Sequence, residues 1–342
     1  MTKVGFISTT VLLISAATAV MAASNNGALV VTASNAATNE LLVYSSGGAL
    51  MQTVPTGGQG GIPQGSNAGG VQTTGNLVAV VNFGSLNVSM FALGSQGFQM
   101  TQLVPTISSP VSVAFGASHL YILGTTAVES HRMDGPYVNP SPDGEVALVV
   151  GDGSAAQVGF LPNQLIVTEK SNMIETVNLL PGGGVGGIST PVKNIPANVN
   201  TPLGLVTLGG DAYVTIAHAN EISLVRDGAI LTTTNSGTQN APCWLTLVGP
   251  LLFSSNSPSM SLSRYAVFGQ RIVQTSAVAA SLDGDPTDNA SGAGLVAVID
   301  GSGTVTHLSI FSVDGEGNLT LLQPAATISG AANGVAVVPV AN

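Results

Sequence analysis

Residues 77–104 read LVAVVNFGSLNVSMFALGSQGFQMTQLV. Three apolar runs, at 77–83, 87–93 and 98–104, are parted by a turn at Gly84-Ser85 and another over 94–97. Each run is too short for an ordinary helix, is rich in Val, Leu and Phe, and holds no helical period. Such runs bounded by Gly, Ser and Asn read as β-strands joined by tight turns. The next run opens at Pro110, with strands expected over 111–115 and 120–123.

The same unit recurs along the chain. Counterparts of the second strand stand at 29–33, 120–123, 164–168, 212–216, 251–255 and 295–299, which with 77–83 makes seven units. About 320 residues follow residue 22, or roughly 46 per unit, the size of a four-stranded propeller blade. The first unit begins at its second strand, whereas the chain ends on 333–340, an inner strand with no unit of its own. The expectation is an all-β, seven-bladed propeller, a single domain over 23–342, its ring closed by the C-terminal strand joining the first blade. A solenoid would need shorter repeats, and a pair of β-sandwiches would not need the last strand to complete the first unit. An open ring would leave two sheet edges free to pair with other chains.

Residues 1–22 have the shape of a signal peptide: Lys3, an apolar stretch over 11–20, and Ala22 before Ala23 as the cleavage point. The apolar stretch is about half of the roughly 20 residues a membrane span requires. The mature chain is therefore expected outside the cell or in its wall, with no membrane insertion. Asn87, Asn289 and Asn318 each open a glycosylation sequon. Cys243 is the only cysteine, so no internal disulfide framework exists and stability must come from the core.

Charged residues make up 7 % of the chain and the net charge is -10. Few cations and no basic cluster argue against nucleic acid or an anionic membrane as partner. Mean hydropathy is +0.44, the opposite of a disordered composition.

The segments LIVTEKSNMIET (165–176), QNAPCWLTL (239–247) and HLSIFSVDGEGNLTL (307–321) resemble the lactonase-type propellers, which include 6-phosphogluconolactonase-like and fungal 3-carboxymuconate-cyclase-like proteins. That resemblance implies a site at one mouth of the central channel, where His, Glu and Arg hold an anionic lactone. Cations bind such a substrate and an acid or base moves the proton. The inner strands expected here are 67–74, 110–115, 154–160, 202–208, 242–247, 286–291 and 333–338. Their only ionisable side chains are Asp288 and Cys243. Where catalytic relatives carry histidines at the strand start, this chain has Ser109-Pro110-Val111, Thr201-Pro202-Leu203 and Ala241-Pro242-Cys243.

A propeller brings strand starts and the turns after second strands to one face. The catalytic candidates there are Glu169, Lys170 and Cys243, and the ligand-binding candidates are Asn82, Asn172, His218, Trp244 and Asn256. Against them stand plainer readings. Glu169 and Lys170 can form an exposed ion pair or lock two blades, the Asn side chains can satisfy turns, Cys243 can be a small hydrophobe, and Trp244 can be packing. Asp283, Asp285 and Asp288 read as a solvated acidic loop, and the Gly-rich stretches 57–61 and 182–187 as rim connections. His119, His131, His218 and His307 stand in no short zinc spacing, so no metal and no cofactor is expected. The function expected is an extracellular or cell-wall binding or structural protein with the lactonase chemistry weakened or lost, and the alternative is an active lactonase or cycloisomerase. Expected partners are a small neutral molecule or an extracellular polysaccharide or protein, with self-association open.

Overall fold

The computed structural model describes residues 27–195, 200–301 and 304–340. The signal segment lies outside the described residues. The strands form seven antiparallel sheets, one for each repeat unit. Blade two is the path Val71–Thr74, Leu77–Asn82, Asn87–Gly94, Gly97–Pro105, so the quoted stretch supplies its second, third and fourth strands. In blades three and seven the outer position is shared by two short strands, Tyr137–Val138 with Gly144–Ala147 and Leu319–Leu321 with Ala326–Ser329.

Ring closure follows the sequence pattern. Asn333–Pro339 is the inner strand of blade one and pairs antiparallel with Ala28–Ala33, placing Val30 opposite Val337 and Val31 opposite Ala336. The last strand of the chain thus completes the first sheet and pairs the inner edge of Ala28–Ala33, which would otherwise be free.

Burial explains the composition of the strands. A second strand lies between its own neighbours in the sheet and has adjacent blades against both faces. Leu77–Asn82 and Leu295–Gly301 are accordingly buried at every position and carry continuous apolar runs. An outer strand faces solvent and alternates, as Leu50–Pro55 does. The core is a ring of interblade layers. Between blades one and two, for example, Val31, Val43, Val78, Val80, Phe91 and Val338 pack together.

Two expectations about blade two need correction. Its inner strand is shorter than expected, beginning at Val71, and residues 67–70 are not strand. The Gly-rich stretch 57–61 keeps to the rim only at Gly57, beside Met100 and Leu103 of the outer strand, and its remainder turns inward. Asn35 accepts from Gly61 N and Ile62 N through Oδ1 and donates from Nδ2 to Ile62 O and Ala331 O, which draws this stretch in from blade one toward the axis. Glycine at position 60 is required, because a Cβ there would run into the Asn35 backbone.

Candidate functional site

Residues 62–70 cross the mouth on which the inner strands begin. Ile62 is buried among Val111, Ala155 and Tyr121 of blades three and four. Asn67 donates to Val111 O, Ala68 N donates to Ala156 O, and Gly69 O accepts from Val113 N. The Ala68 methyl is buried with Ala156, Leu203, Ala217, Cys243 and Trp244 of blades four, five and six. One segment from the blade-one to blade-two connection therefore touches the starts of most inner strands and seals this mouth.

The sealing segment engages several of the expected site residues. Lys170 is half-buried and its Nζ donates to Ser66 O at 2.7 Å and to Ala155 O at 3.2 Å. Burial pulls its pKa down, and the Asp152 charge opposes this. Cys243 is buried, donates from Sγ to Ala241 O and accepts from Ser257 Oγ. Burial pushes the thiol pKa up, and Asp285 pushes it further. A nucleophilic cysteine needs the reverse, a cation beside it. Trp244 is fully buried, with Nε1 donating to Pro286 O across to blade seven.

The other expected residues fall into two groups. Glu169, Asn82 and Asn256 are completely buried beneath connections and turns. Glu169 accepts from Val150 N at 3.0 Å and Gly151 N at 2.8 Å, so both carboxylate oxygens are spent on the blade-three to blade-four connection, and the exposed ion pair with Lys170 does not exist. Asn82 joins Asn39, Thr56, Asn87 and Ser89, and Asn256 joins Ser254, Ser261 and Ser263. Asn172 and His218 are exposed and meet at Thr201, whose N–H donates to Asn172 Oδ1 and whose hydroxyl lies 2.9 Å from His218 Nδ1. Of the sequon asparagines, Asn289 is buried with Nδ2 donating to Trp244 O and Ser255 Oγ, Asn87 is half-buried, and Asn318 is exposed.

Below the seal runs a cavity of about 420 Å³. Its closed end is formed by Gly69, Asp288, Gln72 and Gln157, and its other end by Thr73, Phe115, Phe160, Thr207, Leu247 and Ser291. Thr73, Phe115 and Ser291 also border surface hollows lined by Gly75, Gly116 and Gly292, which places the opening on the face where inner strands end.

Among the described residues Asp288 is the one ionisable residue lining this channel. It is buried rather than part of a solvated loop, although Asp283 and Asp285 beside it are exposed. Its carboxyl accepts from Asn289 N at 2.8 Å, from Gly69 N at 3.2 Å and from Val335 N, tying blade seven to the closing strand and to the entry of blade two. Desolvation pushes its pKa up to about 7 in spite of those bonds.

Among the described residues no cation lines the channel. Arg226 makes a bidentate pair with Asp211, and Arg264 bonds Thr275, Glu316 O and Asn318 at the surface. Arg271 lies over the Phe268 ring. A Ser130, Asp143, His119 cluster at the rim is no catalytic triad, because the carboxylate sits between the hydroxyl and the imidazole, and His119 Nδ1 bonds Ala117 O. Among the described residues no group of three or more metal-ligating side chains comes together, and no helix is long and apolar enough to cross a membrane.

Seven blades closed by a C-terminal inner strand define a seven-bladed β-propeller. Solved structures share it. A Bacteroides fragilis protein assigned as a 6-phosphogluconolactonase matches with TM-score 0.66 at 13% identity over 91% of this chain and 98% of its own. The periplasmic gluconolactonase of Pseudomonas aeruginosa matches with TM-score 0.65 at 15% identity, over 92% of this chain and 99% of its own. Streptogramin B lyase matches with TM-score 0.55 at 16% identity, over 80% of this chain and 91% of its own. No family model and no curated protein matches the chain.

Sequence reasoning passed over Gln72, Gln157 and the sealing segment. Both glutamines stand inside expected inner strands, whereas the polar candidates of the sequence stand at strand starts and in the turns after second strands. The seal carries no sign of its own in the sequence, because residues 65–70, GSNAGG, have the composition of an ordinary exposed loop.

Proposed function

We propose that this chain is a secreted binding propeller whose lactonase chemistry at the mouth where the inner strands begin has been lost. One observation carries the reading: residues 62–70 occupy that mouth, and the one cation there among the described residues, Lys170, holds the segment's Ser66 carbonyl. A lactone carrying phosphate or carboxylate would have to displace a buried segment and would find no second cation. The overall charge of -10 opposes its approach as well. The names of the lactonase neighbours therefore bear on ancestry of the fold more than on present activity.

Secretion rests on the N-terminal pattern and on the scarcity of charge. Its partners would be a small neutral molecule, a wall polysaccharide or another extracellular protein, and self-association is compatible with the mostly neutral surface. The alternative, an active lactonase or cycloisomerase using Glu169, Lys170 and Cys243, requires Lys170 to leave two carbonyls, Glu169 to leave two N–H groups and Cys243 to ionise while buried.

The test is a turnover screen of the secreted protein with 6-phosphogluconolactone, gluconolactone and 3-carboxymuconate, beside a Lys170→Ala variant. No turnover above the uncatalysed rate is expected from either. Turnover by the native protein that disappears in Lys170→Ala would overturn the reading. Mass spectrometry of the protein recovered from medium is expected to find Ala23 as its first residue.

A further inference from the structure

We propose that the closed end of the central channel is a binding site for an uncharged, oxygen-rich molecule of about monosaccharide size, which enters from the face opposite the sealed mouth. This deepens the binding reading above and rests on it.

The geometry is specific to hydrogen-bond donation without charge. Gly69 has φ +67, and a Cβ built there would lie 2.9 Å from Ser112 Oγ, 3.2 Å from Gln72 Nε2 and 3.5 Å from Gln157 Nε2. Two carboxamide NH2 groups from different blades thus converge on one spot at the channel floor. Gln157 spends Oε1 on Leu205 N at 2.6 Å and donates no bond from Nε2 among the described residues, and Gln72 makes no side-chain bond among them. Both side chains are half-buried with Nε2 open to the cavity, free to donate to an entering molecule that carries acceptor oxygens.

The walls fit the same class. Thr207, toward the open end, has a hydroxyl with no partner among the described residues, while Phe115 and Phe160 offer apolar surface for the C–H face of a ring. A volume of about 420 Å³ lies within the range of roughly 300–1,000 Å³ typical of small-molecule sites. Anionic ligands are disfavoured because no Lys or Arg lines the channel among the described residues. Cationic ones are disfavoured because the Asp288 carboxyl is already met by three backbone N–H groups from three stretches of chain. Gly69 is required at the floor, since any side chain would fill the place where the two carboxamides meet.

The experiment is calorimetric titration and thermal shift of the purified protein with glucose, galactose, mannose and N-acetylglucosamine. Gluconate and glucose 6-phosphate serve as the anionic arm and glucosamine as the cationic arm. Binding of at least one neutral sugar is expected, weakened tenfold or more in Gln72→Leu and in Thr207→Phe. Both positions carry no internal side-chain bond, so both variants are expected to melt within a few degrees of the native protein. The proposal is overturned if no neutral sugar binds at millimolar concentration, if both variants bind as the native protein does, or if gluconate, glucose 6-phosphate or glucosamine binds more tightly than the neutral sugars. Lactone turnover followed on the same samples separates the two claims: turnover in the native protein refutes the loss of chemistry, while the sugar arms alone judge the channel.

Discussion

Raising the pH from 5 to 7 is expected to destabilise this protein, and Asp288→Asn is expected to remove about half of that effect. Desolvation holds Asp288 and Glu175 each at a pKa of about 7, against ordinary values of 3.8 and 4.5. Glu175 gets there by burial, with the neighbouring Glu169 charge adding to it and a bond from Val149 N opposing it. Between about pH 4.5 and 7 the folded chain therefore keeps two protons that the unfolded chain releases. Stability from these groups is fully present below the unfolded values and falls as pH rises through 7. Two such groups weaken the fold by roughly 4 kcal/mol between pH 5 and 7, a large part of the total of about 5–15 kcal/mol expected for a domain. Asp300, also raised by burial, adds in the same direction. Asp143, held low by Ser130 and His119 against desolvation, loses its contribution only in acid. Lys170, lowered by burial, acts on the alkaline side with the opposite sign. The assay is urea unfolding at pH 5, 6, 7 and 8, read through the buried Trp244, the only tryptophan. Asp288→Asn keeps the side-chain shape and removes one titrating group, so its loss over this range should be about 2 kcal/mol. A native stability that is flat or rises from pH 5 to 7, or an Asp288→Asn slope equal to the native one, would refute the reasoning.

Trp244→Ala should cost about 3–5 kcal/mol, the usual loss for a large buried aromatic, because it empties the cluster beneath the seal, where it packs with Ala68, Ala156, Leu203 and Ala217, and breaks the bond to Pro286 O; circular dichroism melts check this. Cys243 should react with a disulfide reagent only as fast as the protein unfolds, and rapid labelling under native conditions would contradict its buried, protonated state. Deleting residues 331–342 removes the strand that pairs with Ala28–Ala33, and the product should elute as aggregate in size-exclusion chromatography where the intact chain does not. Secreted from a eukaryotic host, the protein should carry glycan at Asn318 and none at Asn289, whose Nδ2 is buried between blades, as peptide mapping will show.

The fold was legible because its signal is repeated. Each blade restates the same strand lengths and turn chemistry, so an error in one unit is corrected by the others, and the orphan strand 333–340 makes sense only if the ring closes on blade one. The site was legible only where its chemistry is carried by ionisable groups. Glu169 and Lys170 stood out as adjacent opposite charges, yet an alternating strand end sends one to each side: Glu169 down onto backbone N–H groups of the blade-three to blade-four connection, Lys170 up to the sealing segment. Periodicity records which face a side chain takes and not what it meets there. Asp288 looked like one of three acids in a loop, and its burial depends on Val335 and Gly69, more than 40 and 200 residues away in the chain, a coincidence that only ring closure brings about. The sealing segment escaped notice for a related reason. A loop that crosses an axis owes its conformation to seven separate strands, and its own residues need be no more than small enough to pass, as Gly69 and Gly70 are. Local pattern is thus strong evidence for a blade and weak evidence for what the blades enclose, since the lining of the channel is assembled one or two residues at a time from every repeat.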